Sequence, residues 1–108
     1  MATVDECRAA LEQLSEQLEQ NPSAQSLDRT LSCQLTDLDV TFRGRLHGGR
    51  IDALTTEPGE KAQIRLAMTS DDLLRLVAGE LNFASAWAKG QLKLEASMMD
   101  MIRLRSMF

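Results

Sequence analysis

The sequence predicts an α+β fold, with one five-stranded, mostly antiparallel sheet and helices that cover one of its faces. Two observations support this prediction. Apolar residues recur every three or four positions near both ends of the 108-residue chain, which is the period of an amphipathic helix. Between the ends, apolar and polar residues alternate in several short stretches, which is typical of strands with one buried face. The length corresponds to a single domain, residues 1–108, that can bury a core of its own.

An N-terminal helix is predicted over residues 1–20. Thr3 is a favourable N-cap, and Glu6 three positions later completes a capping box. One apolar stripe then follows at spacings of three and four, made of Val4, Cys7, Leu11, Leu14 and Leu18. The helix is expected to end before Asn21-Pro22, since proline disfavours helical backbone in the residue before it. The stripe is too short for a coiled coil, so we expect it to pack on the sheet.

A meander of strands is predicted over residues 28–69. Alternation is clear in four stretches, which run from Leu31 to Leu35, from Val40 to Leu46, from Ile51 to Leu54 and from Ala62 to Met68. Gly48-Gly49 supplies the positive φ angles of a tight hairpin, and the broken alternation after it indicates a β-bulge. Because the turns are short, three or four consecutive strands are expected to pair antiparallel, with one dry face.

Two short helices are predicted at the start of the last part of the domain, residues 70–108. Ser70 is the expected cap of the first helix, and Gly79 is its expected end. Its apolar face comprises Leu73, Leu74, Val77 and Leu81. Asn82 is the expected cap of the second helix, which carries Phe83 and Trp87 four positions apart, on one side.

A fifth strand and a closing helix complete the predicted order of elements. Leu92 and Leu94 alternate with polar neighbours, as in a strand. The final segment fits an amphipathic helix whose broad apolar side holds Met98, Met101, Ile102, Leu104, Met107 and Phe108. Methionine is flexible and polarizable, so a methionine-rich helix suits a surface that must accept varied apolar shapes.

Composition and charge argue against several classes of protein. The net charge is −4 at pH 7, with no basic cluster, so phosphate neutralisation cannot supply nucleic-acid affinity. Residues 41–108 are mildly basic, with 10 basic and 8 acidic side chains, and could face an anionic lipid head group or membrane. No apolar run approaches the roughly 18 residues of a membrane-spanning helix. The start of the sequence has no basic, apolar signal, so a cytoplasmic location is expected.

Residues able to bind metal or perform catalysis are scarce. Cys7, Cys33 and His47 are too few for a zinc site, which takes about four such ligands. Both cysteines fall at apolar-periodic positions, so we expect buried, reduced thiols. His47 borders the predicted hairpin on its polar side, where no nucleophile or acid stands at a useful local spacing. We therefore expect no cofactor, no metal and no enzymatic activity.

Three consecutive segments of the last part resemble the sterol carrier protein 2 family of lipid-binding domains. They are the runs 68–82, MTSDDLLRLVAGELN, then 83–90, FASAWAKG, then 91–95, QLKLE. The family has a strand, a Ser/Asp-rich cap, a short helix, an aromatic residue, a Gly-Lys-Leu-Lys-Ile strand and a closing helix. The preceding strands and helix agree with the family in order and length. Phe83 stands where the family usually has proline.

This resemblance implies a five-stranded sheet with helices over one face and an apolar tunnel between them. It also implies non-catalytic binding or transfer of a sterol, fatty acid, fatty acyl-CoA or phospholipid. The residues then expected to line the tunnel are Leu74, Val77, Leu81, Phe83, Trp87, Met98, Met101 and Ile102. Arg103 and Arg105 are the expected contacts to a lipid head group or, transiently, to a membrane.

An alternative interpretation keeps the fold and fills the tunnel. Aromatic residues at helical spacing usually fill core space, and Phe83 and Trp87 fit that role equally well. The methionine-rich tail would then be a surface for a partner protein or for a homodimer. The sequence does not decide between an open and a filled tunnel.

Overall fold

The computed structural model of the protein describes residues 1–22, 25 and 27–107, with side chains described as far as Leu104. Its elements follow the predicted order. They are α1 (Val4–Glu19), β1 (Asp28–Leu35), β2 (Val40–His47), β3 (Arg50–Thr55), β4 (Ile64–Met68), α2 (Ser70–Val77), α3 (Phe83–Ala88), β5 (Lys93–Glu95) and α4 (Met98–Met107). The predicted α+β class with five strands is confirmed.

The sheet is mixed, with the strand order β3-β2-β1-β4-β5. β1, β2 and β3 form the predicted antiparallel meander, but β4 pairs parallel to β1, so a meander of four strands is wrong. Burial explains the difference. β3 is largely exposed and stays at the edge, whereas β4 buries Ile64 and Met68 and takes an inner position beside β1. The 56–63 connection passes over the outer face of the sheet, where Gly59 lies against the Arg43 guanidinium group.

The predicted hairpin and bulge are both present at the β2–β3 edge. Gly48 and Gly49 have φ angles of 59° and 80°, as a tight hairpin turn requires. The β2–β3 register shifts between Arg43 and Arg45, and Ala53 on β3 has a φ of 56°. The serine at position 15 of α1 accepts a 2.9 Å hydrogen bond from the Ile51 amide, which ties α1 to this edge.

The N-terminus of α2 is organised differently from the prediction. Thr69, rather than Ser70, is the N-cap, and its side chain accepts a bond from the Asp72 amide. Ser70 is fully buried and its hydroxyl is used elsewhere: it donates to Asp37 Oδ2 at 2.6 Å and accepts from the Ala2 amide at 3.0 Å. A side chain committed to those two long-range bonds cannot also cap the helix.

The core lies between the sheet and the helices. Its largest fully buried side chains are Phe42, Leu27, Leu35, Leu46, Ile64 and Leu73. The α1 stripe is confirmed, since Cys7, Leu11, Leu14 and Leu18 are all buried. Within the described part of the chain, no helix is long and apolar enough to cross a bilayer.

α4 is rotated relative to the predicted amphipathic pattern. Its inward side carries Leu104 and the carboxylate of Asp100, both about 5% exposed or less. Met98 and Ile102 instead point outward, with 78% and 60% of their surface exposed. The cause is an ion pair, because Asp100 is held against Arg29 of β1 at 3.2 Å. The side chain of Met107 and all of Phe108 lie outside the described residues.

Candidate functional site

A small apolar cavity lies inside the layer between the sheet and the helices. Its volume is about 30 Å³. Every helix and the first four strands contribute apolar side chains to its wall, which is lined by Leu14, Leu18, Leu31, Leu46, Ile51, Leu66, Leu76, Phe83 and Leu104. An enclosure of this kind offers a ligand apolar contact without directional hydrogen bonds.

The wall of this cavity is deeply buried on one side and thinner on the other. Leu14, Leu18, Leu46, Phe83 and Leu104 are all less than a tenth exposed. The remaining lining residues, one from each of β1, β3, β4 and α2, are only half-buried. The cavity therefore reaches close to the molecular surface where those side chains stand.

Phe83 is the one predicted tunnel residue that the structure brings into the cavity wall. Asn82 caps α3 by accepting a bond from the Ser85 amide, and this turn directs Phe83 into the core. The Phe83 and Trp87 ring centroids are 6.5 Å apart, with the rings tilted by 55°. Trp87 is half-buried and packs against the core beside Phe83.

The predicted residues of α2 are placed apart from the cavity. Leu74 and Val77 line a shallow groove between α1 and α2, together with Ala9, Ala10 and Gln13. Leu81 follows α2 and packs, half-buried, against the core. The neighbouring Leu76, which was not among the predicted residues, is the side chain of α2 that lines the cavity.

The predicted residues of α4 divide between the two sides of that helix. Met101 packs partly buried against the core, while Met98 and Ile102 are exposed together with Met99. Arg103 is exposed on the same outward side. The side chain of Arg105 lies outside the described residues. The lipid and head-group roles assigned to these residues stay predictions.

Eight of the nine lining residues were missed as ligand contacts, although seven of them stood out as apolar. Leu14 and Leu18 belong to the α1 stripe, and Leu31, Leu46, Ile51 and Leu66 occupy alternating strand positions. Leu104 falls on the apolar side predicted for the closing helix. Periodicity identifies the inward face of an element, but it does not show where facing side chains leave a gap.

An ion pair links β1 to α4 near residues of the cavity wall. Arg29 Nε donates to Asp100 Oδ2 at 3.2 Å. Arg29 is paired across the sheet with Leu46 and stands two residues before Leu31, so it projects from the same face as these two cavity residues. Asp100 stands one helical turn before Leu104 on α4.

Other concavities on the molecule are polar or shallow. One of about 340 Å³ lies on the outer face of the sheet, where Arg65, Lys93 and Glu95 contribute charged side chains. A charged wall of this kind does not suit a hydrocarbon chain. The described residues hold no cluster of His, Cys, Asp and Glu that could bind a metal ion.

Both cysteines are free and buried, as predicted. Burial raises the pKa of the Cys33 thiol to about 12. The pKa of Cys7 is also raised, first by burial and then by the negative charges of Asp37, Glu6 and Asp71. Thiols in this state are protonated and unreactive at neutral pH.

His47 is exposed, with Nδ1 3.7 Å from Asp28 Oδ2.

Solved structures share this fold at low sequence identity. The sterol carrier protein domain 2 of Helicoverpa armigera aligns with a TM-score of 0.73 at 17% identity, over 91% of this chain and 81% of that one. The sterol carrier protein 2 of Aedes aegypti in complex with palmitate aligns with a TM-score of 0.66 at 15% identity, over 96% and 93% of the two chains.

A part of a larger enzyme has the same fold. The sec-alkylsulfatase Pisa1 from Pseudomonas sp. aligns with a TM-score of 0.62 at 21% identity. The alignment covers 80% of this chain but only 14% of the sulfatase, so this chain spans a small fraction of that protein's length. No protein with a curated description matches the sequence.

The family model described as the SCP-2 sterol transfer family matches residues 8–108, which is nearly the whole sequence. The match agrees with the observed mixed sheet and its covering helices. The chain belongs to the SCP-2 sterol transfer family.

Proposed function

We propose that this protein binds an apolar lipid in the cavity between its sheet and its helices, and carries or transfers it without catalysis. The observation that supports this most is the wall itself, in which nine apolar side chains from eight elements converge on one space. Membership of a sterol transfer family and the palmitate bound by the Aedes aegypti protein support the same proposal. The ligand classes are sterols, fatty acids, fatty acyl-CoAs and phospholipids.

Binding requires the cavity to expand. Small-molecule sites usually measure about 300–1,000 Å³, whereas this cavity measures about 30 Å³. α4 is the element we propose to move, because Met98, Met99 and Ile102 on its outward side are exposed. Its inward side is attached through Leu104, the half-buried Met101 and the Arg29–Asp100 pair. Apolar surface buried by the ligand, at about 25 cal/mol per Å², would offset the cost of opening.

The proposal of a non-catalytic role rests on the lack of an activated nucleophile among the described residues. Burial keeps the Cys7 and Cys33 thiols protonated. His47 is exposed, and its Nδ1 lies near the carboxylate of Asp28, which Arg45 already holds through two hydrogen bonds of 2.8 and 2.7 Å. The two free thiols also support a cytoplasmic location, where a reducing environment keeps them unpaired.

We further propose that α4 contacts membranes transiently. Its outward side presents Met98, Met99 and Ile102, with Arg103 beside them. Apolar side chains next to arginine suit the interface of a membrane with anionic head groups. The membrane would then contact the same helix that we expect to move when a lipid enters.

Lipid titration of a variant pair tests the proposed function. Leu31→Phe adds volume at the half-buried wall of the cavity, whereas Leu74→Phe adds the same ring in the separate α1–α2 groove. We expect native mass spectrometry to detect a 1:1 complex of the wild type with palmitate or cholesterol, weakened in Leu31→Phe and kept in Leu74→Phe. Equal binding by all three proteins, or no binding by the wild type, would contradict the proposal.

A second candidate function is that of a homodimeric interaction module with a filled tunnel. The small cavity volume and the exposed Met98, Met99 and Ile102 favour it. Light scattering of the delipidated protein with Met98→Ser and Ile102→Ser separates the two. A concentration-dependent dimer that these substitutions abolish, in a protein that takes up no lipid, would favour the interaction module.

A further inference from the structure

We infer that Asp100, at the edge of the cavity, binds the hydroxyl group of a lipid alcohol and disfavours a lipid carboxylate. The inference rests on the proposed function and adds to it the chemical class of the ligand. It assigns the head group to the charged Arg29–Asp100 pair, next to the apolar wall of the cavity. It does not assign the head group to the basic residues at the end of α4.

The pair stands next to residues of the cavity wall. Arg29 shares its face of β1 with Leu31, and its partner on the neighbouring strand β2 is Leu46. Both leucines line the cavity. Asp100 lies one turn from Leu104, which also lines it. The arginine side chain is 33% exposed, whereas the aspartate side chain is 5% exposed. A head group bound at the free oxygen of Asp100 would lie beside this pair, and we place its hydrocarbon chain in the apolar space.

Asp100 has an acceptor without a partner among the residues that the structure describes. Its Oδ2 receives a bond from Arg29 Nε, and its backbone amide is held by the Ser97 hydroxyl at 3.2 Å. Its Oδ1 is buried and has no hydrogen-bond donor among the described residues. An unsatisfied buried carboxylate oxygen is costly, so a ligand group that donates to it gains more than an ordinary hydrogen bond supplies.

The charges around this oxygen favour a neutral donor. Arg29 is shared with the Asp28 backbone carbonyl, to which its Nη1 donates at 2.8 Å. The Asp28 carboxylate lies on the other face of β1 and is neutralised by Arg45. A fatty acid carboxylate at Oδ1 would place a second anion beside Asp100, and it could not donate a hydrogen bond. An alcohol donates one proton and adds no charge.

A competition between two lipids of equal chain length tests the inference. Wild-type protein is mixed with equal concentrations of hexadecanol and palmitate at pH 7.5, and native mass spectrometry gives the ratio of the two complexes. We expect the alcohol complex to dominate. Asp100→Asn removes the negative charge and adds an amide donor, so the preference should shift toward palmitate by about tenfold.

Arg29→Gln is the matched variant, because it breaks the same ion pair from the other side. It leaves the Asp100 charge uncompensated, so it should keep or strengthen the preference for hexadecanol. If the pair only anchors α4, both variants weaken both complexes and leave the ratio unchanged, which would overturn the inference alone. A wild-type preference for palmitate would also overturn the inference alone. So would a ratio of the two complexes that Asp100→Asn leaves unchanged, as expected if water satisfies Oδ1. If wild type takes up neither lipid, the proposed function fails as well.

Discussion

At the scale of single residues, Ser70 joins three parts of the chain that are distant in sequence. Its hydroxyl and its amide both donate to Asp37 in the β1–β2 turn, at 2.6 and 2.8 Å, and its hydroxyl accepts from the amide of Ala2. These bonds fix the start of α1, the turn and the start of α2 relative to one another. The bonds from Ser70, the side-chain bond first, hold the pKa of Asp37 below its ordinary value of 3.8.

The first prediction concerns pH. Because the folded state lowers the pKa of Asp37, its contribution to stability is present above its unfolded pKa and is lost as pH falls through the lower folded value. Asp37→Asn should therefore destabilise the protein at pH 6 and have a smaller effect near pH 2. Urea unfolding of both proteins across this pH range gives the difference in their free energies of unfolding. A difference that stays constant with pH would contradict the prediction.

The second prediction compares the two aromatic residues of α3. Phe83 is 5% exposed and lines the cavity, so Phe83→Ala should reduce the free energy of unfolding by about 3–5 kcal/mol. Trp87 is half-buried at the edge of the core, so Trp87→Ala should cost less. Chemical denaturation of the two variants gives both values. A larger loss for Trp87→Ala would show that Trp87, rather than Phe83, anchors α3.

The deviations at Ser70 and Asp100 show where sequence reasoning stops at this scale. Helix-cap preferences rank Ser70 above Thr69 as the N-cap of α2. The choice depends on Asp37, a residue 33 positions away whose position only the fold determines. In the same way, the pattern of α4 suggested an apolar inward side, because a charged residue is rarely buried without a partner. Arg29 supplies that partner from β1.

At the scale of elements, α1 is the most completely predictable part of the molecule. Its capping box is present in both directions: Glu6 N donates to Thr3 Oγ1, and Thr3 N donates to Glu6 Oε1, each at 3.1 Å. Both bonds are local, and local pattern is what a sequence shows directly. The stripe that the helix buries supplies Leu14 and Leu18 to the cavity wall.

The third prediction tests that cap. Thr3→Ala removes a side-chain acceptor from the first turn of α1 and should lower the free energy of unfolding by about 1 kcal/mol. Thr56→Ala, at an exposed position in the 56–63 connection, is the control and should change it by less than about 0.5 kcal/mol. Equal effects of the two substitutions in urea unfolding would mean that the box adds no stability.

The parallel pairing of β4 with β1 lies beyond what local pattern decides. Alternation predicts that residues 64–68 form a strand, and this is confirmed, but it does not name the neighbouring strand. That choice follows from burial of the whole sheet: β3 keeps polar side chains at the edge, and β4 contributes Leu66 to the cavity wall. The family resemblance implies a five-stranded sheet with helices over one face, but it does not name the neighbour of β4 either.

The fourth prediction concerns the outward side of α4. The double substitution Met98→Ser and Ile102→Ser should weaken binding to vesicles that contain anionic phospholipid, because both side chains expose most of their apolar surface. The stability of the protein should change little, since neither residue belongs to the core. Vesicle co-sedimentation measures the binding, with Ala9→Ser on exposed α1 surface as the control. Unchanged co-sedimentation would assign membrane contact, if any, to another surface.

At the scale of the whole molecule, the cavity is a property of the assembled fold. Its wall takes side chains from elements at both ends of the chain, from Leu14 on α1 to Leu104 on α4. A ligand that binds only the folded state therefore stabilises all these elements together, by about 2.7 kcal/mol at a free concentration one hundred times Kd. The sequence predicted the family and the two layers around this space, but not its lining or its size, which depend on how neighbouring side chains pack.

The central claim is that this small cavity opens to take a lipid, and methyl NMR of the full-length protein tests it most directly. With leucine and isoleucine methyl groups labelled, addition of hexadecanol or palmitate should shift the signals of Leu14, Leu31, Leu46 and Leu104 together. The signal of Leu74, in the separate α1–α2 groove, should stay in place. Lipid-dependent shifts confined to Ile102 on the outer side of α4, or no shifts at the cavity wall at saturating lipid, would contradict the account.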